Sequence, residues 1–340
     1  MTSTLSPAMA EATLDLAPEA AREVFQKIAA LWDCPAQIKG ERLRLSFPRG
    51  AIDLQTEGAK MRVLLRGDEP SYMQGLRDSL SDQLALASIR LDWAQGRSGQ
   101  RPANLSVARV LSVRRISPSF TRVEIEGDDL ARFASGGLHF RLLFGPEGAG
   151  WPETDAQGLT HWPDGAGAWH RPVYTTREIE TSGRAARLSF DIFRHEGGRV
   201  TRWADAVATG AEIALTGPGG GETDLTAPWQ GFVGDETALP VIARLLSALP
   251  ETAKGDAVIF VPDPADIQPI AHPQGVNLRW AMRGGKETPL SALATLPVPA
   301  QGRHIFFAGE KSEALAARTA LLGRGLQRRE LTAATYWIRH

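Results

Sequence analysis

The sequence predicts a multidomain α/β chain: a small α+β unit, then an antiparallel β-barrel, then an α/β domain built on a parallel sheet. Three observations predict it. The length, 340 residues, exceeds the about 250–300 at which a single hydrophobic core stops growing. The ends of the chain mix helix-like and strand-like periods, whereas its middle carries short strands bounded by Gly and polar turns. The composition, 43% hydrophobic and 23% charged, is that of a folded globular chain.

In the first unit, residues 1–100, Ala21, Val24, Phe25, Ile28 and Leu31 recur at helical spacing and predict a helix over Ala20–Trp32. Strands follow at Leu43–Phe47, Ala51–Gln55 and Met61–Leu65, then a helix over Tyr72–Leu91. The segment Gln95–Asn104, rich in Gly, Arg, Gln and Pro without apolar periodicity, reads as a linker. The second unit, 103–226, has strands at Val107–Val113, Phe120–Ile125, His139–Phe144, Arg187–Phe193 and Glu212–Leu215, as an antiparallel barrel requires. Between the third and fourth lies Gly145–His170, a long stretch with Trp151, Trp162 and Trp169 that reads as a functional lid or a disordered insertion. The third unit, 227–340, alternates apolar runs with helices: Gly231–Val233, a helix through Leu249, then Ala257–Val261, Leu278–Met282, His304–Ala308 and a helix over Glu313–Arg329. That order indicates a parallel sheet covered on both faces.

Several function classes are excluded. A net charge of −1 argues against nucleic acid or another polyanion as partner. Apolar runs such as Ala257–Val261 are far shorter than the roughly 20 residues of a membrane helix. The first basic residue is Arg22, so a secretory leader is not expected and the cytoplasm is the default location. The single cysteine, Cys34, cannot build an intramolecular disulfide or a cysteine cluster, and the seven histidines show no H-x-x-x-H spacing. No protein metal site is expected.

Four segments carry chemistry. Arg171-Pro172-Val173-Tyr174-Thr175-Thr176-Arg177 groups two guanidinium forks, an aromatic ring and hydroxyls on an extended stretch. A flat flavin ring needs an aromatic face, a hydroxyl at its redox-active nitrogen and arginine for its phosphate, although a solvated edge strand has the same appearance. The strand ending near Asp191 runs into His195-Glu196-Gly197-Gly198-Arg199-Val200-Thr201, a glycine turn opening a helix. Free backbone N–H groups there suit a pyrophosphate; an ordinary helix start capped by Thr201 is the plain alternative. Gly234-Asp235-Glu236-Thr237-Ala238-Leu239-Pro240 joins a strand to a helix, where a dinucleotide sits in an open parallel sheet. Phe307-Ala308-Gly309-Glu310 is a second strand end of that kind, and the arginines of the helix after it, Arg318, Arg324, Arg328 and Arg329, read as a solvated face. The cluster Gly217-Pro218-Gly219-Gly220-Gly221 lacks the spacing of a phosphate loop and reads as the turn that ends the barrel.

In order and spacing these segments resemble the siderophore-interacting protein family of flavin-dependent ferric-chelate reductases, relatives of the ferredoxin-reductase superfamily. The resemblance covers about residues 103–340. It includes His139-Phe140-Arg141-Leu142-Leu143-Phe144, Tyr174–Arg177, Asp191–His195, Trp203-Ala204, the Gly234–Pro240 string, Phe307–Glu310 and the terminal Tyr336-Trp337. It implies a ferredoxin-reductase-like fold, FAD in the barrel, NAD(P)H or ferredoxin as electron donor, and an Fe(III)-siderophore as acceptor. It further implies that Tyr174 flanks the flavin ring, Thr175 reaches its N5 edge, Arg177 holds phosphate, and Gly198, Val200 and Thr201 bind the pyrophosphate. Asp191, His195, Gly234, Asp235, Thr237 and Ala238 complete the expected cofactor set. Arg171 lies three residues before Tyr174, where the family places its first arginine two before. The sequence stops three residues after Trp337, so a nicotinamide-side element is expected to be missing or altered. Residues 1–100 resemble, more weakly, a small domain that accompanies this family; they contain no histidine, and a docking or structural role is expected.

The expected activity is reduction of a ferric siderophore, with Arg279, Arg283 and Lys286 as candidates for attracting an anionic chelate, or else a solvated charged turn. The alternatives are a non-catalytic flavin- or siderophore-binding module and a general NAD(P)H:flavin or quinone reductase.

Overall fold

The computed structural model describes residues 8–58, 60–94, 96–221 and 223–339. The leader reading at residues 1–7, the first linker residue Gln95 and the terminal His340 lie outside them. The chain forms two compact units, one holding the residues up to 107 with 141–173 and 214–218, the other 108–140, 174–213 and 219–340.

In chain order the first unit begins with β1 (Ala8–Leu14), α1 (Pro18–Leu31), β2 (Ala36–Lys39), β3 (Arg42–Phe47), β4 (Gly50–Glu57), β5 (Lys60–Gly67), α2 (Pro70–Ala85) and β6 (Leu91–Trp93). The six strands form an antiparallel sheet in the order β2-β3-β4-β5-β1-β6. Phe25 and Ile28 of α1 and Leu80 and Leu84 of α2 bury their side chains in the same core as Leu43, Leu54 and Val63 of the sheet. Strands β1, β2 and β6 were not expected. The helix predicted through Leu91 stops at Ala85, because Ala87, Ser88 and Ile89 turn back on Leu84 and Ala85 carbonyls and Ser88 adopts φ +58°.

The middle of the chain supplies β7 (Leu105–Arg115), β8 (Phe120–Gly127), β9 (His139–Leu143), β10 (Glu153–Thr154), β11 (Thr160–His161), β12 (Val173–Thr175), β13 (Glu178–Ser182), β14 (Ala185–Phe193), α3 (Arg199–Ala206) and β15 (Glu212–Gly219). Seven of these strands make one sheet, ordered β12-β9-β15-β7-β8-β14-β13, curled as a half-barrel. Its β7–β8, β8–β14 and β14–β13 pairs are antiparallel. The Trp-rich stretch is ordered. Asp78 of α2 accepts from Thr160 N and Oγ1 at 3.0 and 2.6 Å, and Gln74 donates to Gly158 O at 3.0 Å. The linker is tied to the same stretch through Gly96 N to Ala156 O and Gly99 N to Thr154 O.

The last third contains β16 (Trp229–Gly234), α4 (Leu239–Ala248), β17 (Lys254–Val261), β18 (Val276–Met282), α5 (Pro289–Thr295), β19 (Arg303–Glu310), α6 (Lys311–Gly323) and β20 (Leu331–Trp337). Its sheet is parallel throughout, in the order β18-β17-β16-β19-β20. Side chains alternate along each strand. Phe232 and Ile259 join the apolar cluster that holds Ile242 and Leu246 of α4, while Val233, Phe260 and Phe307 join the one that holds Leu293 of α5 and Leu321 of α6. Helix α6 ends at Gly323, short of the expected Arg329. Arg324 is exposed, and its guanidinium also donates to Leu293 O and Leu296 O and so ties the end of α6 to α5.

Candidate functional site

Strand β12 carries Tyr174 and Thr175 on opposite sides of its backbone. The Tyr174 ring packs on Phe190 of β14, centroids 5.4 Å apart, and burial raises its phenol pKa. Thr175, buried, places Oγ1 3.1 Å from Nδ1 of His139 on β9. The other ring nitrogen of His139 lies 3.0 Å from the hydroxyl of Tyr336 on β20, with the two rings edge to face at 80°. Arg244 of α4 donates to the carbonyl of Leu138, the residue before His139, at 3.2 Å. Glycine is required at 220, where φ is +84° and a Cβ would come within 2.3 Å of the His139 ring.

Burial, helped by the Arg244 charge, pulls the His139 pKa from 6.5 to about 4. Between those values the unfolded chain binds a proton that the folded chain refuses, so stability falls as pH drops through the window. Denaturation midpoints of the apoprotein measured from pH 7 to 4 are expected to decline less steeply in His139→Gln than in the wild type. Parallel curves would show that His139 titrates normally.

A second group of residues gathers around Arg177, two residues after Thr175 in the chain. Arg177, 7% exposed, follows β12, and its backbone N–H donates to Ser189 O on β14 at 2.8 Å. Asp191, two residues further along β14, takes both forks of Arg122 at 2.7 and 2.9 Å. Arg177 Nε stands 3.6 Å from Oδ2, the oxygen that Arg122 reaches at 2.9 Å, and makes no hydrogen bond. Asp191 therefore faces two guanidiniums in a buried setting, with the Glu178 charge acting on both of them and Glu124 on Arg122. Burial lowers the Arg177 pKa, opposed by Asp191 and assisted by Arg122.

Helix α3 starts after Gly198, which corrects the reading of Thr201 as its cap: Thr201 lies within the first turn. The Thr201 hydroxyl is buried without a partner, as is that of Ser189. A Cβ on Gly198 would lie 2.9 Å from both the His195 ring and Thr201 Oγ1, so the backbone there is kept bare. Val200 is buried beneath the turn, and His195 is exposed with Nδ1 3.2 Å from Glu196 O. Buried hydroxyls without partners, a buried Arg177 Nε–H without a hydrogen bond and bare backbone at a helix start are what an anion with several acceptor oxygens satisfies. These residues fit the phosphates of FAD.

At the carboxyl ends of the parallel strands, Gly234 leaves no room for a side chain: a Cβ would meet Ile242 and Ala238 at 2.6 and 2.7 Å. Asp235 accepts from Thr237 N and Oγ1 at 2.9 and 2.6 Å, and its other oxygen accepts from Trp337 Nε1 at 2.7 Å. Ala238, fully buried, is the cap residue of α4. Thr237 and Asp235 thus hold the junction and dock β20 onto it. Glu236 is buried beside Arg283, which donates to it at 2.8 Å and lies over the Trp337 ring. Burial raises the Glu236 pKa, reinforced by Asp235 and opposed by Arg283.

Of the three basic candidates, Arg279 forms a two-pronged pair with Glu287 at 2.7 and 2.5 Å, Arg283 pairs with Glu236, and Lys286 is exposed. Arg171 belongs to the first unit. It lies over the Trp162 ring at 4.6 Å and offers its carbonyl to Arg141. The sequence reading did not single out Arg122, Ser189, His139 or Tyr336 as site residues. His139 and Tyr336 stand 197 positions apart, and no local pattern marks such a pair.

Residues 109–222 match the siderophore-interacting FAD-binding domain, and residues 227–340 match the siderophore-interacting protein domain. The chain is 30% identical over 239 residues to the ferric vibriobactin reductase ViuB of Vibrio cholerae, across 66% of this chain and 86% of that protein. It is 28% identical to the NADPH-dependent ferric-chelate reductase of Escherichia coli, across 67% and 91%. Its fold is similar to the crystal structure of a siderophore utilization protein from T. fusca, with TM-score 0.59, 27% identity and coverage of 72% and 96%.

Proposed function

The chain belongs to the siderophore-interacting protein family, and on that premise we infer that it is an FAD-dependent reductase of ferric siderophores that draws its electrons from NAD(P)H. The observation that carries the reading is the buried group of Arg177, Asp191 and Arg122, whose Arg177 Nε–H finds no acceptor in the protein, set on the sheet that leads into the bare turn at Gly198. When bound, FAD supplies what side chains cannot: acceptance of a hydride and its release as single electrons, which Fe(III) requires.

The residues of the chain bind and orient. In this proposal Tyr174 offers its ring to the flavin, Thr175 sets a hydroxyl at the N5 edge, Arg177 neutralises phosphate, and Gly198, Val200 and Thr201 seat the pyrophosphate with Asp191 and His195 supporting them. Gly234, Asp235, Thr237 and Ala238 shape the place where the nicotinamide dinucleotide meets the parallel sheet. The half-barrel, 103–226, then serves FAD and residues 227–340 serve NAD(P)H, with residues 1–100 in a docking or structural role. Ferredoxin is kept as an alternative donor. Lys286 with Arg279 and Arg283 forms the proposed approach for an anionic chelate. Loss of charge at iron on going to Fe(II) weakens hard oxygen coordination and releases the metal. A cytoplasmic location is part of the proposal, since the reduced pyridine nucleotide is supplied there; among the described residues no helix is long and apolar enough to cross a membrane.

The purified protein is expected to be yellow, to release FAD and not FMN on denaturation, and to bleach anaerobically with NADH or NADPH. A ferric siderophore should then restore the colour faster than a quinone does. No bleaching by NADH, NADPH or reduced ferredoxin favours a binding module, and recolouring by quinone alone favours a quinone reductase.

A further inference from the structure

Thr175, His139 and Tyr336 come from three strands, β12, β9 and β20, and stand in line: 3.1 Å from Thr175 Oγ1 to His139 Nδ1 and 3.0 Å from His139 Nε2 to the Tyr336 hydroxyl. Both ring nitrogens are thus taken by hydroxyls. A neutral imidazole has one N–H, so one nitrogen donates while the other accepts, whereas a hydroxyl does either. The line therefore has two polarities. In one, Tyr336 donates to Nε2 and Nδ1–H donates to Thr175, whose own proton points onward. In the other, Thr175 donates to Nδ1, Nε2–H donates to Tyr336, and the Thr175 oxygen is free to accept. The ring is held in place by the bare Gly220 backbone, the Tyr336 edge and the Arg244 bond to Leu138 O. Its low basicity keeps it singly protonated at neutral pH.

We infer that His139 and Tyr336 are positioning residues of a proton path whose two polarities let the Thr175 hydroxyl serve the cofactor's N5 edge in both redox states; the inference rests on the placement of that edge at Thr175 proposed above. For each NAD(P)H oxidised, two Fe(III) become two Fe(II) and one proton must leave. With FAD bound, the proton lost at that edge would pass to Thr175 Oγ1. The former Thr175 proton moves to His139 Nδ1, the Nε2 proton moves to Tyr336, and the former phenol proton goes to water at the partly exposed Tyr336 edge. The electrons go to iron, and the line is left in the polarity that donates to an unprotonated N5.

The test uses the FAD-loaded full chain and the variants Thr175→Ala, His139→Gln and Tyr336→Phe. The Thr175 variant should shift the flavin absorption band and weaken FAD binding. His139→Gln, which keeps a donor and an acceptor but cannot exchange them, should retain FAD yet slow reoxidation by ferric chelate about 10²-fold, the lower range for a positioned proton-transfer group. Tyr336→Phe should slow the same step less and lose the slowing that D₂O causes in the wild type. Nitrogen-15 NMR of His139 should show the protonated ring nitrogen change between the oxidised and reduced protein. An unchanged tautomer, or wild-type reoxidation in both His139→Gln and Tyr336→Phe, overturns the path while a band shift in Thr175→Ala leaves the cofactor placement standing. An unshifted band and unchanged FAD affinity in Thr175→Ala overturn the placement and the path together.

Discussion

Replacing Asp191 with alanine is expected to cost about 3–5 kcal/mol of folding stability, the range for breaking a buried ion pair by removing one partner. The carboxylate is fully enclosed and receives both forks of Arg122, with Arg177 beyond hydrogen-bond reach of Oδ2 at 3.6 Å. Without it, Arg122 and Arg177 lose the carboxylate that pairs with both, and the Glu178 and Glu124 charges near them make no hydrogen bond in its place. Since domains are stable by only about 5–15 kcal/mol, the loss should appear as a large drop in the urea midpoint of the apoprotein. A drop below about 1 kcal/mol would mean that water reaches these arginines and that the site is not the enclosed pocket described. FAD should partly rescue the variant, because its phosphate supplies the missing negative charge.

The second large effect separates binding from stability. Arg177→Met should weaken FAD binding by about 1.5–3 kcal/mol, the worth of a hydrogen bond to a charged group, which is about ten- to hundredfold in Kd. The apoprotein should lose little stability, because Arg177 Nε makes no hydrogen bond and burial already disfavours its charge. Equilibrium dialysis against FAD and thermal unfolding of the apoprotein together decide the matter. Unchanged FAD affinity would move the phosphate site elsewhere.

How far the sequence could be read follows the range of the interactions involved. The parallel sheet was legible because fully buried strands are apolar runs, as at Ala257–Val261 and His304–Ala308, and these stand inside β17 and β19. The Gly234–Pro240 junction was legible because close approach to Ala238 and Ile242 excludes any side chain at 234. Strand β1, Ala-Met-Ala-Glu-Ala-Thr-Leu, was not: its inward residues include small alanines that give almost no apolar contrast. Strand β20 lay hidden because Thr332, Ala333, Ala334 and Thr335 carry no period, and its place is set by pairing with β19. The start of α3 was misjudged because a threonine near a helix start reads as a cap, whereas here the bare Gly198 takes that position and leaves Thr201 unpartnered. Arg279 and Arg283 read as a free basic turn because their carboxylates, Glu287 and Glu236, meet them only through the fold. The line from Thr175 through His139 to Tyr336 is invisible for the same reason, since three separate strands must be brought side by side before it exists.

The central claim is that a hydride from NAD(P)H leaves this protein as single electrons on iron. The most direct measurement is an anaerobic titration of the FAD-loaded protein with NADPH or NADH in the presence of a ferric siderophore and an Fe(II)-specific chromophore. The account predicts two Fe(II) formed for each pyridine nucleotide oxidised. Oxidation of the nucleotide and bleaching of the flavin with no Fe(II) produced would contradict it.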